Sequence, residues 1–130
     1  MNKGIFITGS GTGVGKTLCA SILLKILRDD GIDAVPMKPI QCGLNASLDG
    51  KTTTDLDFVL EMNGLVASPE EIELMNPCLY KSACSPHLAA EIEKRPVEIS
   101  KIKDAVSKLL EEHQLVLAEG AGGALVPLDD

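Results

Sequence analysis

Aromatic side chains are almost missing from this chain. There is no Trp, one Tyr and two Phe in 130 residues, so a core must be built from Val, Ile, Leu and Ala. Aliphatic cores of that kind suit parallel strands buried beneath helices. Positive charge is scarce as well: 12 Lys and Arg stand against 19 Asp and Glu, a formal net charge of -7. A general nucleic-acid or anionic-membrane surface needs clustered positive potential, so this balance argues against both, and an anionic ligand must be held by a local site. Long apolar runs are lacking: nothing approaches the roughly 18 residues of a membrane span, and the first nine residues read as a strand rather than a signal peptide. The expected location is the cytoplasm. There is no CxxC pair either, so Cys19, Cys42, Cys78 and Cys84 are read as reduced thiols, with Cys19 on an apolar helix face in the core.

What the chain does contain is a regular alternation. Lys3 to Thr8 is a short apolar run ending in a glycine-rich turn, after which Leu18, Cys19, Ile22, Leu23, Ile26 and Leu27 recur at helical spacing. Gly31 closes that helix, and Asp33 to Met37 reads as a second strand leading into Lys38-Pro39. Gln41 to Thr54 is polar and turn-rich, long enough for a functional loop. Helices are expected over Asp55 to Met62, Glu70 to Met75, Pro86 to Lys94 and from about Ser100, with an extended segment at Cys78 to Lys81 and a buried strand from Leu115 to Ala118 ending at Glu119. The whole of residues 1–130 is expected to form one P-loop-type nucleotide-binding domain: three-layer α/β, with a mainly parallel sheet and ligand at the carboxyl ends of the strands.

The glycine turn, Gly9-Ser10-Gly11-Thr12-Gly13-Val14-Gly15-Lys16-Thr17, lies between a strand and a helix, the context a nucleotide phosphate loop requires. Glycines let successive backbone N–H groups point inward and let phosphate oxygens approach, and the helix N-terminus adds positive potential. Lys16 would reach the terminal phosphates and Thr17 a magnesium ion. The usual GxxxxGK[ST] pattern would put glycine where Ser10 stands, so the loop is a stretched variant. Lys38-Pro39-Ile40-Gln41-Cys42-Gly43 follows the second strand on the same sheet edge, where a second cation can stabilise a transferring phosphoryl group or be a plain surface lysine. Glu119, before Gly120-Ala121-Gly122-Gly123, sits where an acid completes magnesium coordination, and Asp55 at a helix start is a further oxygen donor or an ordinary N-terminal carboxylate. Ser85-Pro86-His87 begins a helix with Ser85 as N-cap.

Taken in order, Thr8 to Thr17, Lys38 to Gly43, Asp55, Ser85-Pro86-His87 and Glu119 to Gly123 resemble the motif series of dethiobiotin synthetases, across nearly the whole chain. The resemblance implies a cytoplasmic, magnesium- and ATP-dependent cyclo-ligase that joins 7,8-diaminopelargonate and carbon dioxide through a carbamate and a carbamic-phosphoric anhydride. It implies that Lys16, Lys38 and Thr12 are catalytic, that Gly11, Thr12, Gly13, Val14, Gly15, Lys16 and Thr17 hold ATP, and that Thr17, Asp55 and Glu119 serve the metal and with it the nucleotide. Thr12, Lys16, Lys38, Cys42 and Gly122 would face the substrate, whose far carboxylate reaches the other subunit of a homodimer. Two departures are Gly13 for an acid in some members, and Cys42 for a hydroxyl, which makes Cys42 a weaker donor and a target for thiol reagents. Family members continue for several strands and helices past Asp129-Asp130, so the chain is expected to be an N-terminal portion, without the adenine site or the partner-subunit contact. The rival readings are another P-loop amidoligase, of the cobyrinate synthase kind, and a regulatory or partitioning ATPase.

Overall fold

The computed structural model describes residues 3–46 and 50–128. The chain opens with β1 (Lys3–Ile7), the glycine loop, α1 (Lys16–Asp29) and β2 (Ala34–Met37). It continues through β3 (Ile40–Cys42), β4 (Asn45–Ala46), β5 (Thr52–Thr53), α2 (Asp55–Met62) and α3 (Pro69–Met75). It then runs through β6 (Cys78–Tyr80), α4 (Pro86–Ile92), α5 (Ile99–Glu112) and β7 (Leu115–Glu119). Local chemistry sets several of these ends. Thr54 and Ser68 close capping boxes with Asp57 and Glu71 at the starts of α2 and α3. Gly31, at φ 81°, turns the chain out of α1.

β7 is inserted between β1 and β2 in a fully parallel three-stranded sheet, with Ile7 opposite Glu119 and Met37 opposite Ala118. Three strands therefore end together on one edge, which is the edge that carries the chemistry. Pro36 lacks an N–H to donate, and it is tolerated because β2 has β7 as its one described sheet neighbour. Side chains alternate between the two faces. Ala34, Leu115 and Leu117 pack with Ala20 and Leu24 of α1, whereas Val35, Met37 and Val116 pack with Leu56, Leu60, Met75, Ala105 and Leu109 from α2, α3 and α5. Helices thus cover both faces, as a three-layer α/β fold requires. Truncating an enclosed side chain such as Leu117 to alanine costs about 2–5 kcal/mol.

Beyond β2 the chain forms a second, two-stranded parallel sheet, β3 with β6, closed by Tyr80, Cys78, Ile40 and Ala89. The described residues of the polar stretch from Gln41 to Thr54 hold more regular structure than its composition predicts: the last two residues of β3 and the antiparallel pair β4 and β5, with Asn45 opposite Thr53.

Several expectations need correction. Cys19 is exposed rather than in the core. The core covers only one arc of α1: Ala20 and Leu24 pack with Ala34, Leu115 and Leu117, and Ser21 meets Asn63 at the end of α2, leaving Leu18, Ile22 and Ile26 each 52% exposed. Asp33 falls outside β2, where its carbonyl accepts from Gln114 and Leu115 and its carboxylate meets His113 Nδ1 at 3.0 Å. α4 stops at Ile92, and Lys94 adopts φ 51°. Asp129 and Asp130 lie outside the described residues.

Candidate phosphate and cation site

α1 begins directly from the loop. Gly15, at its N-cap with φ 104°, has no side chain to cap the helix, so the first backbone N–H groups remain directed at the loop. Gly13 is also left-handed, at φ 74°. Lys16 is only 8% exposed, and its ammonium folds back to donate to the Gly11 carbonyl at 2.5 Å. A side chain at Gly123 would approach the Ser10 carbonyl oxygen to 2.8 Å, and Ala124 N–H donates to the Gly9 carbonyl at 2.9 Å. The glycine turn after β7 is therefore seated against the phosphate loop.

Four side chains from four parts of the chain meet beside this loop. Lys38 Nζ lies 2.8 Å from Glu119 Oε1 and 2.8 Å from Asp55 Oδ2. Thr17 Oγ1 donates to the same Glu119 oxygen at 2.8 Å. Lys38 and Glu119 are 5% and 4% exposed, so each needs its partner: a buried charge left alone is strongly unfavourable. Their positions follow from the sheet, because Glu119 ends the central strand and Lys38 follows the neighbouring one.

Asp55 is brought in by a device the sequence reading overlooked. Gln41, 4% exposed, accepts from Asp55 N–H at 3.2 Å through Oε1 and donates from Nε2 to the Gly43 carbonyl at 3.0 Å. Its only signal in sequence was its place within Lys38 to Gly43. Asn45 Nδ2 adds a contact of 3.4 Å to the other Asp55 oxygen.

These groups line one cleft of about 960 Å³. Gly11, Thr12, Gly13, Gly15, Lys16, Thr17, Lys38, Cys42, Asp55, Glu119 and Gly122 all border it. Val14 does not; it is exposed, and its side chain lies over Gly9. Ser85 borders the cleft, with its hydroxyl 3.1 Å from His87 Nδ1, whereas His87 is not among the lining residues. The wall that includes Ala83, Cys84 and Ser85 is tied down by Glu93. That carboxylate accepts from Ser82 N–H at 2.8 Å and from its hydroxyl at 2.9 Å, which with Arg95 holds its pKa down at about 2. Cys42 stands on the same cleft with its thiol pushed up to about 11, first by burial and then by Cys84, so at neutral pH it is a protonated, weak donor.

The donor set fits a hard divalent cation. Two carboxylates and a hydroxyl converge, and the Lys38 ammonium marks the point at which both carboxylates neutralise a positive charge. Among the described residues no three His, Cys, Asp or Glu side chains form a complete metal cage.

A family model described as AAA domain matches residues 3–130. The chain belongs to that family. Within the AAA domain family it is similar to curated proteins named ATP-dependent dethiobiotin synthetase BioD. The protein from Methanococcus vannielii is 41% identical over 95% of this chain and 54% of its own length. The one from an Anaeromyxobacter species is 40% identical over 98% of this chain and 54% of its own length, and that of Clostridium acetobutylicum is 36% identical over 98% and 52%. The resemblance read from the motifs is borne out, and so is the fold class. The chain spans about half the length of the curated relatives it matches. No helix among the described residues is long and apolar enough to cross a membrane.

Proposed function

We propose that the protein to which this chain belongs is a cytoplasmic dethiobiotin synthetase, an ATP-dependent cyclo-ligase acting on 7,8-diaminopelargonate and carbon dioxide or bicarbonate. The observation that carries this reading is the meeting of Lys38 with Asp55, Glu119 and Thr17 beside a phosphate loop that already has its own lysine, Lys16. Nucleotide binding alone calls for one lysine. A second buried lysine on the same edge suits an additional anion.

The roles follow from position. The Gly11 to Gly15 backbone and the α1 N-terminus hold the polyphosphate, with Lys16 moving from the Gly11 carbonyl to a terminal phosphate. Thr17, Asp55 and Glu119 would hold magnesium, which neutralises charge on the transferring phosphoryl group. Lys16 and Lys38 flank the place where a substrate carbamate would lie, while Thr12, Cys42 and the Gly122 turn border the substrate side. One substrate amine loses a proton as it captures carbon dioxide, and the carbamate oxygen attacks the γ-phosphorus and releases ADP. The second amine then attacks the carbonyl carbon, expels phosphate and closes the ring. The chain's own contribution is positioning and charge stabilisation, with no covalent enzyme intermediate. A homodimer, in which the partner receives the far carboxylate of the substrate, belongs to the same reading.

The test is incubation of the whole protein with diaminopelargonate, bicarbonate and magnesium-ATP, with dethiobiotin detected by mass. A folded, ATP-binding protein that yields no such product refutes the proposal.

A further inference from the structure

We infer that Lys38 is a built-in counter-cation that competes with the divalent metal for Asp55 and Glu119, so that metal is admitted only together with a polyphosphate that draws Lys38 away. This rests on the assignment of those two carboxylates to magnesium made above.

The charges on the page enforce the competition. Lys38 Nζ is 2.8 Å from an oxygen of each carboxylate, and Thr17 donates to the Glu119 oxygen that Lys38 uses. With Lys16 and Lys38 at +1 each and Asp55 and Glu119 at -1 each, the cluster is neutral. A bare divalent ion would raise it to +2 while stripping a 5% exposed ammonium of both anionic partners. Among the described residues the other acceptor bonded to Lys38 is the Gly120 carbonyl at 3.3 Å, which is neutral. Burial makes that exchange strongly unfavourable.

A magnesium-triphosphate complex reverses the balance, since it brings net negative charge and supplies oxygens to which Lys38 can turn. Lys16, bonded to a neutral carbonyl, has no ion pair to break among the described residues and can meet the phosphates first. The order is then polyphosphate on Lys16, transfer of Lys38 from carboxylate to the incoming anion, and release of Asp55 and Glu119 to the metal. Lys38 therefore positions the metal by yielding its place, besides any contact it makes with substrate.

Binding of Mn2+ to the whole protein, measured by titration calorimetry without nucleotide, tests this. Replacing Lys38→Met should strengthen nucleotide-free Mn2+ binding by at least about tenfold, because a positive charge within a few ångströms of the metal is removed. Lys38→Arg should leave it as weak as in the parent. The enhancement of Mn2+ binding by the non-hydrolysable analogue adenosine 5′-(β,γ-imido)triphosphate should shrink in Lys38→Met. Lys38→Gln serves in place of methionine if the latter does not fold, as judged by circular dichroism. Nucleotide-free Mn2+ binding that is unchanged or weaker in the folded variant, with the analogue still promoting binding in the parent, overturns the exchange. If neither protein takes up Mn2+ even with the analogue, the metal assignment itself has failed, and the exchange falls with it.

Discussion

Gln41→Met separates the positioning of Asp55 from the chemistry that Asp55 serves. Methionine keeps the length and volume of the side chain but removes both of its hydrogen bonds, to Asp55 N–H at 3.2 Å and to the Gly43 carbonyl at 3.0 Å. Gln41 is 4% exposed, so water cannot readily replace either partner. Orphaning a buried donor or acceptor costs about 1–3 kcal/mol, so two partly enclosed groups should lower the unfolding free energy by about 2–4 kcal/mol in urea titration. The functional consequence is more selective. With α2 no longer tethered at its first residue, Asp55 loses its fixed distance to Lys38 and Glu119, and the Mn2+ affinity in the presence of nucleotide should fall by at least about fivefold, or ~1 kcal/mol. Nucleotide affinity measured in chelator should stay within about twofold, since the phosphate loop is untouched. If stability drops as expected while metal affinity is unaltered, Gln41 is a structural tie and the positioning argument is wrong. If neither changes, the two hydrogen bonds contribute nothing to the fold.

Other substitutions probe other contacts. Gly123→Ala places a methyl group 2.8 Å from the Ser10 carbonyl oxygen, so it should lose about 1–3 kcal/mol of stability and weaken ATP binding, whereas at Gly11 a Cβ meets nothing within 4 Å and stability should be nearly unchanged; equal urea midpoints for the two variants would refute this. Iodoacetamide at neutral pH should label the exposed Cys19 ahead of Cys42, whose labelling should keep rising past pH 9 toward about 11, as peptide mass mapping would show. Fast labelling of Cys42 at pH 7 would contradict the raised value. Glu93 is depressed from 4.5 to about 2, so it contributes stability that is present above pH 4.5 and lost as pH falls toward 2. Glu93→Gln should therefore flatten that part of the acid-unfolding curve, and a parallel curve displaced equally at every pH would show that the charge is not the cause.

Local chemistry explains which features the sequence disclosed. A glycine turn between an apolar run and a helical stripe, a lysine after a strand, and an acid before a second glycine turn are each defined by neighbours within a few residues, and parallel pairing carries all three to one edge. Alternation of strand and helix was enough to predict that edge. The ring of contacts around it was not. Nothing local distinguishes Gln41 from a polar loop residue: its bond to Gly43 spans only two residues, whereas Asp55 lies fourteen residues on and follows the antiparallel pairing of β4 with β5. Helix periodicity failed at α1 for a related reason: Leu18, Cys19, Ile22, Leu23, Leu24, Ile26 and Leu27 cover more than one side of the helix, and the choice of buried arc is made by the sheet. Ala20 at 3% and Leu24 at 0% exposure hold that arc against Ala34, Leu115 and Leu117, and the small Ala20 side chain lets α1 lie close to β2 and β7. That closeness matters to the site. It brings the first turn of α1 within reach of the ends of both strands, where Thr17 meets Glu119 across 102 residues of sequence. Replacing Ala20 by leucine would thus act at a distance: it would push α1 outward and lengthen the Thr17 to Glu119 hydrogen bond, before any residue that borders the cleft had been altered.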